Sequence, residues 1–360
     1  MRIGILGGGQ LARMLALAGH RLGLEFTVLD PSVDACAGAV AKHIVGAYDD
    51  EAKLTELAQW SDVITYEFEN VPATSLSFLE ESVPIYPNPN ALAVSRDRLK
   101  EKTLFTELDI PTPAFFQINS QSDLENAAAE LGLPGVLKTR TLGYDGKGQT
   151  VLRTKGDVKT AWEELGKVPC ILESLVRFSR ELSVIAVRGR NGETAFYPVS
   201  ENTHKEGILR YTFCRPNESL QETAQEYSKR ILDKLDYTGV LALELFEEKG
   251  KLFANETATR VHNSGHWSMD GAYTSQFENH IRAVSGLPLG STDCRCYSAM
   301  VNIIGTRPEK AGILGLKNAF LHDYTKSARP GRKIGHVNIC AQDEKDLDRL
   351  FAKLQDIIIT

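Results

Sequence analysis

The feature that most constrains the fold is a glycine turn that joins an apolar strand to an amphipathic helix at the start of the chain. Strand-like Arg2–Leu6 leads into Gly7-Gly8-Gly9, and apolar residues then recur at the spacing of about 3.6 that is typical of a helix. A second strand is predicted over Phe26–Leu29, followed by a helix over Asp50–Trp60 and a strand over Val63–Tyr66. Strands and helices that alternate in this way pack as a parallel sheet covered by helices.

Breaker residues divide the rest of the chain. Prolines cluster where this first unit ends, a helix is predicted over Ala91–Leu108, and Gly286–Gly290 precedes a shorter last unit. The length of 360 residues also indicates more than one domain, since a domain usually takes about 100–200 residues. We therefore expect three domains, over residues 1–90, 91–290 and 291–360.

Charge and composition exclude several classes of protein. The 41 basic and 47 acidic residues give a formal net charge of −6, and no basic run is interleaved with aromatics, so we expect no nucleic-acid partner. No apolar stretch reaches the roughly 18 residues of a membrane span or forms a signal peptide, which predicts a cytoplasmic protein without a membrane partner. The six cysteines are scattered without a zinc pattern, and we expect them to be reduced thiols.

The first glycine turn matches a dinucleotide-binding pattern. Gly7, Gly9 and Ala12 occupy its fixed spacing, and Asp30 ends the next strand. In that pattern the helix N-terminus binds a phosphate through its free N–H groups. The same glycines are also expected if the turn only needs them for close packing of strand and helix. NAD binding is therefore one of two interpretations.

A second glycine loop has a layout suited to phosphate recognition. Lys138 ends the apolar stretch that begins at Gly135, and the glycine-rich loop Gly143–Gly148 follows five positions later. Backbone N–H groups of such a loop bind phosphates, while the lysine supplies a positive point charge. The loop is not a Walker loop, and a mobile hairpin with a solvated lysine is the alternative.

Two glutamates are expected to face each other across a hairpin. Glu244 and Glu256 each lie six residues from Gly250, so an antiparallel hairpin that turns there places them directly opposite one another. Like charges in that position destabilise a sheet, and a positive group is therefore expected between them. One or two carboxylates together with phosphates suit Mg²⁺. A slipped register or an exposed pair is the alternative.

Two polar runs later in the chain suit anionic substrates. Arg260–His266 combines an arginine, two histidines and an asparagine directly after a strand. Lys326 and the turn Arg329–Lys333 present several cations, which suit a phosphate monoester. Structural histidines and a solvated basic turn are the alternatives.

Six strings in this order resemble the N5-carboxyaminoimidazole ribonucleotide synthetases, an ATP-grasp family of purine biosynthesis. The resemblance covers nearly the whole chain. Its last two strings are more specific to this family than the glycine loop, which many ATP-grasp enzymes share. The strings are Gly7-Gly-Gly-Gln-Leu11, Thr65-Tyr-Glu-Phe-Glu-Asn-Val-Pro72, Gly143-Tyr-Asp-Gly-Lys-Gly-Gln149, Asn255-Glu256, Arg260-Val-His-Asn-Ser-Gly-His-Trp267 and Arg329-Pro-Gly-Arg-Lys-x-Gly-His336.

The resemblance implies a mixed α/β and α+β fold of three domains. These are a Rossmann-like N-terminal domain over residues 1–90, an ATP-grasp domain over 91–290 with a lid at about 112–180, and a small C-terminal mixed domain over 291–360. It implies the reaction of ATP, bicarbonate and 5-aminoimidazole ribonucleotide to the N5-carboxylated ribonucleotide, ADP and phosphate, by way of carboxyphosphate. Carboxyphosphate is either attacked directly by the exocyclic amine or releases CO₂ that the amine captures, and both routes stay open. The family also suggests a homodimer and places the first glycine loop on the ribonucleotide side of the cleft, which disfavours NAD.

Site residues follow from the matching positions. Those implied for ATP are Arg98, Lys138, Gly143, Tyr144, Asp145, Gly146, Lys147, Gly148, Gln149, Glu173, Ser174, Leu175, Val176, Glu181, His204, Asn255 and Glu256. Those implied for bicarbonate, its phosphate adduct and the ribonucleotide are Gln10, Leu11, Glu69, Tyr144, Arg260, His262, Asn263, Lys326, Arg332 and Lys333. Glu244 and Glu256 would bind two Mg²⁺, and the implied catalytic residues are Arg260, Asp145, His262 and Asn263, with Asp145 as general base.

One segment departs from the family pattern. Where the family commonly has an apolar residue and a proline between Glu256 and Arg260, this chain has Thr257 and Thr259. Loss of the proline's fixed φ is expected to loosen the approach to Arg260. Both Glu256 and Arg260 remain, so activity is expected to survive. A nucleotide-binding module without turnover, suggested by this segment, and an NAD-dependent oxidoreductase, suggested by the Gly7–Asp30 unit, stay as alternative hypotheses.

Overall fold

The first unit of the protein is a parallel α/β sheet, as the sequence predicts. The computed structural model describes residues 1–141, 143 and 147–359. Four parallel strands lie in the order β3-β2-β1-β4. The elements of this unit are β1 (Arg2–Leu6), α1 (Gln10–His20), β2 (Glu25–Asp30), β3 (Lys42–Val45), α2 (Glu51–Trp60), β4 (Val63–Tyr66), α3 (Ala73–Glu80) and α4 (Pro89–Ser95).

The single helix predicted over Ala91–Leu108 is wrong, because the chain breaks there between α4 and a new helix, α5 (Arg98–Glu107). The carboxylate of Asp97 accepts the backbone N–H of Leu99 at 3.0 Å and so caps the first turn of α5. Arg140 forms an ion pair with the same carboxylate. The break places Arg98 in the first turn of its helix.

The middle of the chain forms a four-stranded antiparallel sheet with two helices. Its strands lie in the order β5-β8-β6-β7. The elements are β5 (Phe115–Ile118), α6 (Gln121–Leu131), β6 (Gly135–Thr139), β7 (Gln149–Leu152), α7 (Lys155–Glu164) and β8 (Cys170–Ser174).

A large antiparallel sheet follows, and its strand order is β14-β13-β9-β11-β12-β15-β17-β16, with β10 paired to β9. Its elements are β9 (Arg180–Arg188), β10 (Thr194–Phe196), β11 (Ser200–Lys205), β12 (Ile208–Cys214), α8 (Gln221–Lys234), β13 (Gly239–Glu248), β14 (Lys251–Ala258), α9 (Ser268–Gly271), α10 (Gln276–Ser285), β15 (Tyr297–Ile304), α11 (Lys310–Leu314), β16 (Ala319–Asp323), β17 (Lys333–Ala341) and α12 (Glu344–Ile359).

The last strands of the chain continue this sheet instead of forming one of their own. Strand β15 pairs with β12, from Tyr211 opposite Val301 to Cys214 opposite Ser298. Hydrogen bonds therefore cross the boundary predicted near residue 290. The helix α12 packs on this end of the sheet through buried Leu347 and Leu354.

A buried histidine joins the first sheet to the large one. His280 on α10 accepts the backbone N–H of Val240 on β13 at Nδ1, 3.1 Å away. Its Nε2 therefore carries the ring proton and donates it to Thr65 Oγ1 on β4, at 2.8 Å. Burial lowers the pKa of His280 from 6.5 to about 3, so the ring is neutral at pH 7.

This histidine predicts a loss of stability in mild acid. The unfolded chain binds a proton at His280 below pH 6.5 and the folded one does not, so stability conferred by the neutral ring is complete above pH 6.5 and falls as the pH drops. The loss for one such group is about 1.4 kcal/mol per pH unit. In urea unfolding between pH 7 and 5, His280→Gln should show a shallower pH dependence than the unaltered protein. Equal slopes would contradict the prediction.

Two further features of the described residues concern membrane spans and cysteines. Within the ranges given above, none of the helices is long and apolar enough to cross a membrane. All six cysteines fall in those ranges as free thiols, three of them buried.

Candidate active site

Residues of the first unit and of strands in the other two sheets line one cleft of about 680 Å³. It contains most of the side chains that the sequence singles out. The predicted site residues that line it are Glu69, Arg98, Lys138, Gly143, Gln149, Glu173, Ser174, Leu175, Val176, Glu181, His204, Glu244, Asn255, Glu256, Arg260, His262, Asn263 and Lys333.

The two hairpin glutamates face each other, as predicted, but by a route that the sequence analysis did not include. Lys249 and Gly250 form a two-residue turn with positive φ at both positions, so Glu248 pairs with Lys251. That pairing is one residue out of step with a turn centred on Gly250. A β-bulge at Asn255 shifts the register back, and Glu244 lies opposite Glu256.

Positive and proton-donating groups lie beside both carboxylates, as the like-charge argument requires. Arg98 donates to Glu256 at 2.8 Å, and although burial opposes the effect, this guanidinium lowers the pKa of Glu256. His262 lies with its Nε2 3.2 Å from Glu244. Burial, and then the charge of Glu256, raise the pKa of Glu244 to about 7. Burial and the neighbouring charge thus disfavour two ionised carboxylates side by side, and a cation between them would stabilise the ionised form of both.

The donor set fits a divalent cation that also binds phosphates. Besides the two carboxylates, the side-chain oxygen of Asn255 is buried and has no hydrogen-bond partner. These are hard oxygen donors of the kind that Mg²⁺ prefers. Across the described part of the chain, no group of three or more His, Cys, Asp and Glu side chains is arranged to bind a metal. A cation at Glu244 and Glu256 thus needs further oxygens, which nucleotide phosphates can supply.

A buried lysine pair converges on one carboxylate near the second glycine loop. Lys138 donates to Glu173 Oε2 at 3.0 Å, and Lys102 lies 3.4 Å from the same oxygen. The other oxygen, Glu173 Oε1, is buried without a partner. Lys102 is not among the residues predicted from the sequence, although its spacing from Arg98 and Glu101 places all three on one face of a helix.

The second glycine loop reaches the cleft at both of its ends. Gly143 lies so close to Arg98 that a Cβ on it would be 3.3 Å from the guanidinium. Gln149, which also lines the cleft, begins β7. Tyr144, Asp145 and Gly146 lie outside the described residues. Lys147 and Gly148 belong to the loop but do not line the cleft.

The polar run after β14 places three predicted side chains at the floor of the cleft. Arg260 lies 3.3 Å from Glu69 on the first unit. Asn263 exchanges two amide hydrogen bonds with Asn302, of 3.1 and 2.7 Å. Burial lowers the pKa of His262 well below 6.5, and its Nδ1 accepts the backbone N–H of Ser264 at 3.3 Å. His262 is therefore neutral and points its Nε2 proton at Glu244.

The basic group predicted for the ribonucleotide phosphate is only partly at the cleft. Lys333 lines it, while Lys326 donates to Gln10 at 2.5 Å on the first unit. Arg332 donates to Ser327 at 2.7 Å. The side chain of Leu11 is buried in the apolar core, which leaves only its backbone for a ligand.

The first glycine loop binds a carboxylate of the protein itself. Glu67 accepts the backbone N–H of Ala12 at 2.9 Å and that of Gly9 over a short hydrogen bond. Gly7 has φ +103°, and a Cβ there would lie 2.4 Å from Glu67. Asp30 accepts the N–H of Gly8 at 2.8 Å. Because Glu67 and Asp30 take the N–H groups that a dinucleotide phosphate would need, the NAD interpretation is wrong.

The segment that departs from the family pattern is fixed by hydrogen bonds. Thr257 donates to Glu101 from both its backbone N–H and its hydroxyl, each at 2.6 Å. The hydroxyl of Thr259 lies 3.1 Å from that of Ser95. These contacts restrain the backbone before Arg260, where loosening was expected.

Comparison with family models assigns three consecutive parts of the chain. The ribonucleotide synthetase preATP-grasp domain matches residues 1–96, the ATP-grasp domain 103–277, and the phosphoribosylaminoimidazole carboxylase C-terminal domain 298–350. Together with the sheets described above, these matches confirm the predicted fold class, with α/β and α+β parts.

Curated relatives align along almost the whole chain. The N5-carboxyaminoimidazole ribonucleotide synthase of Pseudomonas aeruginosa is 52% identical over 358 residues, 99% of each chain. That of Brucella melitensis is 49% identical over 343 residues, covering 93% of this chain and 95% of the relative.

Solved structures agree in fold over the same length. The N5-carboxyaminoimidazole ribonucleotide synthetase of Thermus thermophilus has a TM-score of 0.96 at 50% identity, covering 99% of both chains. The Aspergillus clavatus synthase in complex with ADP and 5-aminoimidazole ribonucleotide has a TM-score of 0.92 at 30% identity, covering 99% of this chain and 98% of the other.

Proposed function

The chain belongs to the N5-carboxyaminoimidazole ribonucleotide synthase family, and we propose that its cleft performs this reaction with the residues described above. As an ATP-grasp ligase, it carboxylates the exocyclic amine of 5-aminoimidazole ribonucleotide at the expense of ATP, in purine biosynthesis. The observation that carries the residue assignment is the facing pair Glu244 and Glu256 in one cleft with Lys138 and Arg260.

The nucleotide is proposed to bind between the four-stranded sheet and the carboxylate pair. Lys138 and Arg98 would contact its phosphates, since both cations line the cleft and Arg98 lies beside Gly143. The unpartnered Oε1 of Glu173 would accept a hydrogen from the adenine amine. Mg²⁺ bound by Glu244 and Glu256 would neutralise charge on the phosphates during transfer.

Bicarbonate is proposed to bind at Arg260, whose guanidinium is oriented by Glu69. An oxygen of bicarbonate attacks the γ-phosphorus, and the bond to the leaving ADP breaks, which gives carboxyphosphate. The ribonucleotide amine then attacks the carboxyl carbon, loses a proton, and phosphate leaves. His262 and Asn263 lie beside Arg260 and would contact the reacting carboxyl group. Proton removal by Asp145 stays a prediction of the resemblance.

The ribonucleotide phosphate is proposed to bind Lys333, Lys326 and Arg332 at the edge of the first unit. The bond between Lys326 and Gln10 brings the C-terminal turn to the first unit, which supports a phosphate site formed by these cations. The N–H groups of the first glycine loop would not take part, because Glu67 and Asp30 accept them. Closure of the site by Tyr144 stays a prediction of the resemblance. A cytoplasmic location, which the sequence composition predicts, and a homodimer, which the resemblance implies, are likewise proposals.

The decisive experiment measures ADP release by a coupled assay with Mg-ATP and bicarbonate. We expect strong stimulation by 5-aminoimidazole ribonucleotide and little by the corresponding nucleoside, which lacks the phosphate that Lys326 and Lys333 would bind. Equal stimulation by both would contradict the assignment of Lys326 and Lys333 to the phosphate but not the proposed reaction. ATP binding without any ADP release would instead identify a nucleotide-binding module without turnover.

A further inference from the structure

One face of helix α5 contacts the bulged strand that carries Glu256. Arg98, Glu101 and Lys102 have the spacing that places three side chains on one side of a helix. Arg98 binds the Glu256 carboxylate directly at 2.8 Å. The other two side chains bind the backbone around Glu256 instead, and Lys102 also lies 3.4 Å from the carboxylate of Glu173.

Lys102 binds the bulge itself. Its side chain is fully buried, and its ammonium donates to the carbonyl oxygens of Ala254 and Asn255 at 3.2 and 2.8 Å. It also donates to Thr112 Oγ1 at 3.0 Å, and this hydroxyl in turn donates to the carbonyl of Ala254 at 2.8 Å. A bulge leaves its extra residue without a partner in the ladder, and here Lys102 satisfies the carbonyl of that residue, Asn255.

Glu101 binds the strand on the other side of the carboxylate. It is 2% exposed, and one oxygen accepts both the N–H and the hydroxyl of Thr257 at 2.6 Å. The peptide groups before and after Glu256 are thus bound by consecutive residues of α5. The threonine at position 257 supplies one of these hydrogen bonds through its side chain.

We propose that Glu101 and Lys102 are positioning residues, which stabilise the bulge at Asn255 and so fix the carboxylates of Glu244 and Glu256 for a divalent cation. Without the bulge, Glu244 would lie opposite Asn255, and a one-residue slip would turn the Glu256 side chain to the other face of the sheet. The inference rests on the proposed function, because it takes Glu244 and Glu256 as the cation site.

The test is direct binding of Mn²⁺, a paramagnetic substitute for Mg²⁺, in the presence of saturating ADP. Free Mn²⁺ is followed by electron paramagnetic resonance, so the readout does not depend on turnover. Lys102→Met and Glu101→Met remove the contacts with little change in volume. We expect each to weaken Mn²⁺ binding about 10- to 100-fold, the usual effect of losing groups that orient metal ligands.

Two matched variants separate positioning from a general loss of structure. Glu101→Gln keeps an oxygen that accepts from Thr257, and we expect it to restore Mn²⁺ binding close to that of the unaltered protein. Lys100→Met makes the same change as Lys102→Met at an exposed position of the same helix, and no effect is expected. Thermal unfolding of every variant shows whether it is folded.

The milder variant Thr257→Val keeps the proposal testable if a buried methionine prevents folding. It removes only the hydroxyl donor to Glu101, and we expect a smaller but measurable loss of Mn²⁺ affinity. The inference would be overturned if folded Lys102→Met and Glu101→Met proteins bound Mn²⁺ like the unaltered protein. If neither of them folds, the same result for Thr257→Val would overturn it. Absence of Mn²⁺ binding by the unaltered protein with ADP would instead overturn the proposed cation site itself.

Discussion

Glu256→Gln is expected to lower turnover by at least about 10³-fold while the protein stays folded. The substitution keeps an oxygen that can accept from Arg98 but removes the negative charge that faces Glu244. Cations that stabilise the charge of a transferring phosphoryl group contribute several kcal/mol to such reactions, so loss of one carboxylate ligand should affect kcat most. ADP release at saturating ATP, bicarbonate and ribonucleotide measures the effect.

The control for this variant lies on the same hairpin. Glu248→Gln makes the same chemical change next to the turn, opposite Lys251 and outside the cleft, and should leave kcat unchanged. Thermal unfolding should place both variants near the unaltered protein. A Glu256→Gln protein with near-normal turnover would refute the assignment of this residue to the cation.

Arg260→Lys is expected to lower kcat by about 10²-fold and to raise the KM for bicarbonate. Lysine keeps the positive charge but lacks the planar fork of N–H groups that binds both oxygens of a carboxylate-like anion. It also loses the guanidinium nitrogen that lies 3.3 Å from Glu69, so the charge is no longer aimed at one position. Removing a single oriented donor at developing negative charge commonly costs about 10²–10³ in rate.

Binding of ADP provides the internal standard for Arg260→Lys. The proposed nucleotide contacts, Lys138 and Arg98, are unchanged, so calorimetry should give the same ADP affinity as for the unaltered protein. Arg188→Lys is the matched control. It alters an ion pair with Asp236 at the end of β9 that lies away from the cleft, and it should leave the rate unchanged. A loss of ADP affinity equal to the loss of rate would place Arg260 at the nucleotide instead.

The predicted pairing of Glu244 with Glu256 shows how far sequence patterns reach. Both residues lie in one hairpin, and the alternation of apolar residues with a glycine turn is a local property that a sequence displays directly. The turn is nevertheless centred between Lys249 and Gly250, and the pairing is correct only because the bulge at Asn255 compensates. The sequence carries no local sign of that bulge, since its carbonyl is bound by Lys102, 153 residues earlier in the chain.

The glycine loop at the start of the chain shows where a sequence pattern leads to the wrong ligand. Its spacing suits a dinucleotide, and only the tertiary structure brings Glu67 onto the N–H groups of Gly9 and Ala12. The sequence alone predicts the strand and helix periodicities, the glycine turns and, through its resemblance to a family, the chemistry and most residues of the cleft. The tertiary structure decides the strands that carry the large sheet past residue 290 and the roles of Glu67, Glu101 and Lys102. These depend on which buried polar groups find partners, and such partners lie far apart in the chain, where periodicity and spacing hold no information.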